Sequence, residues 1–199
     1  MMSLWLWDKQ VFALPDAIRI IMCNIVSILT TTGYGLTDFG IWTPFTTVLF
    51  VFLMLVGACS GSTSGGLKIF RIQVAATLFH KQAKQLMHPS GVFPQKYNGR
   101  PVNDNIIRSL VAFVLSYIVV IIIASALLGL CGLSPLTAIS GAITAVSNVG
   151  PGLGAQIGPL SNFASVPDAG KWVLSFTMML GRLEILTVAV LFFPSFWRN

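Results

Sequence analysis

The most informative stretch of the sequence is residues 28–38, which read Ile-Leu-Thr-Thr-Thr-Gly-Tyr-Gly-Leu-Thr-Asp. It places three threonines and two glycines between two apolar runs. Irregular backbone at membrane depth is tolerated only where protein buries it or where it lines a water-filled path. If the chain lies in a membrane, this stretch therefore predicts a backbone with a specific task.

The composition indicates a membrane protein. Of the 199 residues, 55% are hydrophobic and only 9% are charged, whereas soluble domains carry about 25% charged residues. A chain with so few charges is best interpreted as one that has the bilayer as its solvent.

The positive charge is concentrated in one part of the chain. Seven of the twelve basic residues lie between positions 68 and 108, and Asp104 is the one acid among them. Such a stretch beside membrane spans marks the cytoplasmic side. Nucleic-acid binding is the competing interpretation of a basic run, and it is disfavoured because apolar segments bracket this one. The sequence thus predicts the lipid membrane as a partner, no nucleic acid, and a cytoplasmic loop at 82–105.

Apolar runs and helix-start signals divide the chain into segments. Proline in the first turn favours a helix start at 14–16 and again at 134–135, and helices of about 14 and 12 residues are too short to cross a bilayer, which needs about 20. The predicted segments are a short helix to about 29, an apolar helix at 43–56, a Gly/Ser-rich break at 57–66, an amphipathic helix from 67, the loop at 82–105, a span at 109–131, a short helix at 135–146 and a last span at 172–194.

The chain contains an internal repeat. Residues 30–35, TTTGYG, lie over residues 147–152, SNVGPG, at an offset of 117 residues; we call these the first tract and the second tract. Each follows a short helix, whose negative C-terminal end favours a cation, and each precedes a longer apolar helix. Glycine permits the dihedral angles that would aim successive carbonyls at one axis.

The first tract is similar to the Thr-Val-Gly-Tyr-Gly of potassium-channel filters, in which backbone carbonyls replace the water shell of the ion. A Gly-rich turn between two helices is the alternative. Pro151 stands where the first tract has Tyr34, and because proline fixes φ and lacks an N–H we expect a filter of reduced symmetry.

Arg182 lies about eleven residues into the last predicted span, close to mid-depth at about 1.5 Å per residue. A charge there costs several kcal/mol unless it is paired or hydrated. Glu184, two residues further on, points away from the same helix face. Arg182 could therefore face the ion path, or it could pair with another residue for structural reasons.

The chain resembles the membrane subunit of Trk/Ktr-type potassium uptake systems, of the TrkH-like kind. The motifs that carry the resemblance are ThrThrGlyTyrGly at 31–35, GlyAlaCysSerGlySerThrSerGlyGlyLeuLys at 57–68, AsnValGlyProGlyLeuGly at 148–154, GlyArgLeuGlu at 181–184 and PheTrpArg at 196–198.

The resemblance implies an all-α membrane protein of potassium-channel-like span–pore–span repeats, with re-entrant pore helices and filter loops. Residues 1–81 match the third repeat without its first span, and residues 106–199 match a complete fourth repeat. Since the family closes a pore with four repeats, the chain is expected either to be part of a longer subunit or to need further copies. The resemblance also implies a homodimer of full subunits and a cytoplasmic nucleotide-binding regulatory subunit of the TrkA-like kind.

The resemblance assigns three groups of residues. The expected carbonyl donors to potassium are Thr31, Thr32, Gly33, Tyr34, Gly35, Asn148, Val149 and Gly150. The expected intramembrane gating loop contains Gly57, Ser60, Gly61, Ser62, Thr63, Ser64, Gly65 and Gly66, although small residues there could also form a passive kink. The expected barrier to cations is Arg182.

The predicted function is potassium permeation across the bacterial cytoplasmic membrane, as part of a transporter subunit with several spans. Potassium is the only metal expected, as the transported ion, and no cofactor is expected. The alternative is a non-conducting truncated or assembly subunit of such a transporter. An enzyme needs a cluster of titratable groups in a pocket, and the sequence offers none.

Overall fold

The chain folds mostly into helices that are joined by short irregular segments, as the resemblance implies. The computed structural model describes residues 13–57, 65–88, 91, 96–97, 100–101, 104–154, 156–183, 185–191 and 196–197.

The first half begins with helix α1, Leu14–Leu29, which carries proline in its first turn and Asp16 beside it. A 3₁₀ turn at Phe39–Ile41 leads to α2, Pro44–Leu55. The side chain of Thr43 caps α2 by accepting the Thr46 N–H at 3.1 Å. Both helices have proline in the first turn, and α2 also has a side-chain cap. The predicted helices are confirmed to within one or two residues.

The predicted Gly/Ser-rich break separates α2 from the next helix. Two short strands, β1 at Val56–Gly57 and β2 at Leu67–Lys68, pair in parallel at the two ends of the break. Helix α3, Ile69–Met87, follows directly. The helical structure thus ends at β1 and resumes after β2, and these two strands lie side by side. Helix α3 runs six residues beyond the predicted boundary at 81, because the residues there are strong helix formers and the first proline comes only at Pro89.

The second half begins with a small antiparallel pair, β3 at Lys96–Tyr97 and β4 at Arg100–Pro101. The elements that follow are α4, Asp104–Leu130; α5, Pro135–Ser147; a 3₁₀ turn, Phe163–Ser165; α6, Asp168–Arg182; and α7, Ile185–Leu191. The predicted helix start at 134–135 is confirmed, and the side chain of Ser134 caps α5 by accepting the Thr137 N–H at 3.4 Å.

The expectation of one continuous last span at 172–194 is wrong. Helix α6 ends at Arg182 and α7 begins at Ile185. Gly181 supplies a physical reason, because glycine weakens a helix and its Cα lies against the backbone of Val146, where a Cβ would overlap the carbonyl oxygen. Among the described residues, one helix is long and apolar enough to cross a membrane by itself, at Asn105–Leu130.

Helix α5 lies at the centre of the described structure. Ten of its thirteen residues are buried, and it packs against α2, α4 and α6. Its buried positions include Gly141, Ala142 and Ala145, and small residues of this kind let helices approach closely in membranes. The helix that carries the second tract is therefore held on several sides, which fixes the position of that tract.

Candidate ion-binding site

The fold brings the two tracts into contact. A Cβ added to Gly33 would overlap the carbonyl oxygen of Val149, and a Cβ added to Gly150 would lie 3.6 Å from the Cα of Gly33. Two backbone segments 117 residues apart thus touch at their glycines. Only glycine permits this approach without displacing backbone.

The two tracts also have matching backbone conformations. Thr31 and Asn148, which correspond at the offset of 117, are the two non-glycine residues with positive φ in the described part of the chain, both at 54°. Gly33 and Gly150, which also correspond, have φ of 81° and 114°. Positive φ is uncommon for residues other than glycine, so its occurrence at corresponding positions shows that the repeat extends to backbone geometry.

The hydrogen bonds that begin each tract are nearly the same. The Thr31 N–H donates to the Ile28 carbonyl at 3.1 Å, and the Asn148 N–H donates to the Ala145 carbonyl at 3.1 Å. At the next position the Thr32 and Val149 amides likewise turn back onto the preceding helix. These bonds satisfy carbonyls at the C-termini of α1 and α5, which would otherwise be unpaired.

The tracts differ at their first glycine. The Gly150 N–H donates to Thr144 Oγ1 at 3.0 Å, whereas the Gly33 N–H reaches the backbone carbonyl of Ser27 at 3.4 Å. Ser27 corresponds to Thr144 at the offset of 117. Its buried hydroxyl has no hydrogen-bond partner.

The carbonyl oxygens of the tracts are available. Within the described part of the chain, no hydrogen-bond donor contacts the backbone carbonyls of residues 31–35 or 148–150. Buried or membrane-embedded carbonyls are normally paired. Unpaired carbonyl oxygens that follow the negative C-terminal ends of two helices can coordinate a cation.

One face of the first tract is open. The side chain of Tyr34 is 78% exposed, and Thr32 is also exposed. In the second tract Val149 is buried and Gly150 is exposed. An exposed apolar surface of this kind can mark contact with another protein, a ligand or the membrane.

The ends of the break segment lie against the second tract. Gly57 and Gly65 touch, since a Cβ on Gly57 would overlap the Gly65 carbonyl. Gly65 in turn lies against the carbonyl of Ser147 at the end of α5, and its added Cβ would be 3.3 Å from Asn148 Nδ2. The predicted gating residues Gly57, Gly65 and Gly66 are therefore near the tract, and the predicted Ser60, Gly61, Ser62, Thr63 and Ser64 lie outside the described residues.

Arg182 is the last residue of α6 and is exposed. The preceding residue, Gly181, lies against Val146 one residue before the end of α5. Arg182 therefore lies at a helix end, next to a glycine that contacts α5 near its C-terminus, rather than in the middle of a continuous span. Glu184 lies outside the described residues.

Sequence reasoning missed several polar residues that surround the tracts. Tyr117 of α4 hydrogen-bonds to Ser147 of α5 at 2.6 Å, and both are buried. Asn24 and Ser140 are buried within the helices before the tracts. In the sequence, each of these residues is a polar side chain within a mostly apolar helix. Such a side chain is costly to bury without a hydrogen-bond partner, and this could have indicated a specific contact.

The sequence matches the TrkH family, described as cation transport proteins, over residues 7–199. This match covers nearly the whole chain. The chain belongs to the TrkH family. The predicted resemblance is thereby confirmed, as is the prediction that the chain is not an enzyme, because the family consists of membrane transporters.

Individual relatives of the chain support the assignment to the TrkH family. The chain is 54% identical over 178 residues to the Trk system potassium uptake protein TrkI of Halomonas elongata, covering 88% of this chain and 36% of that protein. It is 32% identical over 198 residues to TrkH of Escherichia coli K12, covering 99% of this chain and 40% of that protein. The crystal structure of the potassium transporter TrkH from Vibrio parahaemolyticus superposes with a TM-score of 0.88 at 34% identity, covering 98% of this chain and 42% of the other.

The chain therefore has the fold of a part of TrkH-family transporters, and it spans about 36–42% of the length of these relatives.

Proposed function

We propose that this TrkH-family chain contributes part of a pathway through which potassium crosses the bacterial cytoplasmic membrane. The relatives are Trk system potassium uptake proteins. In the proposed site, potassium loses water and is held by backbone carbonyls of residues 31–35 and 148–150. The short helices α1 and α5 act as re-entrant pore helices, and their C-terminal ends favour a cation.

The observation that carries the proposal is the contact between Gly33 and Gly150. Two tracts with corresponding positive-φ residues meet at their glycines, and their carbonyls have no donor among the described residues. A Gly-rich turn between two helices would give no reason for two distant turns to meet. A shared ion site requires that they do.

The break segment at 57–66 is proposed to be the gate beneath this site. Its ends join through β1 and β2 and lie against the carbonyl of Ser147. Gly57 and Gly65, which border residues 58–64, therefore lie beside each other, and Gly65 contacts the base of the second tract. We further propose that the Arg182 guanidinium, at the break after α6, raises the electrostatic energy of a cation that passes this level.

The exposed face of the first tract is proposed to pack against other parts of a full pore. These are further repeats of a longer subunit or further copies of this chain, and the full subunits form a homodimer. The basic region at 82–105 would then lie in the cytoplasm and meet a nucleotide-binding regulatory subunit of the TrkA-like kind.

The second candidate function is a non-conducting truncated or assembly subunit, which the short coverage of the relatives favours. Flux of potassium or rubidium into liposomes separates the two. The purified 199-residue chain and a full-length TrkH-family transporter into which this segment is placed at the matching position are reconstituted in parallel, and liposomes with neither protein are the control. Potassium-selective flux through the full-length protein supports the ion site. The absence of flux through the chain alone, with flux through the longer protein, assigns the chain to part of a pore. The absence of selective flux through both contradicts the proposal.

A further inference from the structure

We propose that Asn24 and Ser140 are positioning residues that hold the far end of the two tracts, and that they set how well the ion site distinguishes potassium from sodium. This inference rests on the proposed function. Both side chains lie on the helix before a tract and contact the backbone after it.

The first anchor is Asn24 on α1. Its side chain is fully buried. Its Oδ1 accepts the Leu36 N–H at 3.1 Å, and its Nδ2 donates to Thr37 Oγ1 at 3.3 Å. Both partners come directly after Gly35. One amide side chain thereby fixes two consecutive residues at the end of the first tract relative to the helix that precedes it.

The second anchor is Ser140 on α5. It is also buried. Its Oγ accepts the Leu153 N–H at 3.0 Å and donates to the Leu153 carbonyl at 3.1 Å. Leu153 corresponds to Leu36 at the offset of 117. The same backbone amide is therefore held in both copies of the repeat.

The anchors themselves do not correspond. Asn24 aligns with Gly141, and Ser140 aligns with Cys23. A Cβ on Gly141 would lie 3.0 Å from Ile157 Cδ1, so the second copy leaves little room for a longer side chain at that position. Two different residue types at two different positions hold equivalent amides. The backbone amides of Leu36 and Leu153 are thus held in the same way in the two copies, whereas the residue that binds each amide differs.

The two anchors are important because each of them holds the far end of a tract that is already bound to its helix at the other end. Each tract is bound to its helix at one end by amides that donate to the last turns of that helix, and at the other end by Asn24 or Ser140. A site that holds a dehydrated ion needs its ligands fixed to a fraction of an ångström. Release of one end lets the carbonyls move inward around a smaller ion, so the first property to change is the preference for potassium over sodium.

The experiment measures uptake of potassium and sodium, at equal concentrations, by the full-length transporter that contains this segment. The variants are Asn24→Ala and Ser140→Ala. Loss of a buried hydrogen bond is expected to lower the potassium-to-sodium ratio by about tenfold. Asn24→Ala is expected to have the larger effect because it releases two residues after its tract, Leu36 and Thr37, whereas Ser140 holds Leu153 alone. Ser116→Ala is the matched control, since its hydroxyl bonds only to the Ala112 carbonyl of its own helix, at 2.8 Å, and its ratio should equal that of the unaltered protein.

Thr37→Val provides a milder variant that removes one bond of Asn24 from the loop side, and it should shift the ratio in the same direction by a smaller factor. An unchanged ratio in Ser140→Ala and Thr37→Val, at normal membrane abundance, would overturn the inference. So would an equal loss of uptake for both ions, because that result indicates a merely structural role. If the unaltered transporter shows no preference for potassium, the proposed function itself fails before any variant is compared.

Discussion

Replacement of Gly33 by alanine tests the contact between the two tracts. Gly33 has φ of 81°, a conformation that costs an L-residue about 1–2 kcal/mol. The added Cβ would also overlap the Val149 carbonyl. That obstacle is backbone, which cannot rotate away, so the two tracts must separate by roughly 1 Å to restore ordinary van der Waals contact.

A shift of that size is large for a site built from backbone ligands. Displacement of positioned groups by about 1 Å reduces activity by about 100-fold in enzyme active sites. We therefore expect Gly33→Ala to lower potassium uptake by roughly that factor. The assay is rubidium or potassium uptake by the full-length transporter in cells that lack other potassium uptake systems, with membrane abundance measured in parallel.

Two other glycines separate backbone strain from overlap. Gly132 has φ of 87° and nothing within 4 Å of an added Cβ, so Gly132→Ala introduces strain alone and should leave uptake intact. Gly150 has φ of 114° and an ordinary 3.6 Å contact with the Gly33 Cα, so Gly150→Ala should have an effect between the other two. Wild-type uptake by Gly33→Ala at normal abundance would contradict the proposal that uptake depends on the close contact between the two tracts. Equal losses of uptake in Gly33→Ala and Gly132→Ala would contradict it as well.

Three further predictions concern the surroundings of the tracts. Tyr117→Phe removes the buried bond to Ser147 and should lower the free energy of unfolding by about 1 kcal/mol, measured as thermal stability in detergent; a Phe variant as stable as the parent would contradict it. Gly65→Ala should disturb the base of α5, because the added Cβ would overlap the Ser147 carbonyl, and limited proteolysis should show faster cleavage in the break segment than in Gly129→Ala, where an added Cβ contacts nothing. Arg182→Ala should raise cation flux through the full-length transporter, and unchanged or lower flux with normal expression would count against the barrier.

Much of the architecture was predictable because it depends on local signals. Proline stands in the first turn of α1, α2 and α5, and side chains cap α2 and α5. The uninterrupted apolar run predicted α4. The repeat at 117 residues could be read from the glycines alone, and it extends to φ angles at Thr31 and Asn148. These features follow from short-range sterics and hydrogen bonding, which a sequence specifies directly.

The tertiary structure decided what depends on distant partners. The break after Arg182 arises where Gly181 lies against the backbone of Val146, and composition alone favoured a continuous span. The anchors Asn24 and Ser140 escaped the repeat alignment because they lie at positions that do not correspond at the offset of 117. Two glycine tracts are evident in the sequence, and the packing of α5 among its neighbours brings Gly33 against Gly150. Contact between segments so far apart in the chain depends on the shape of the whole core, which no local pattern encodes.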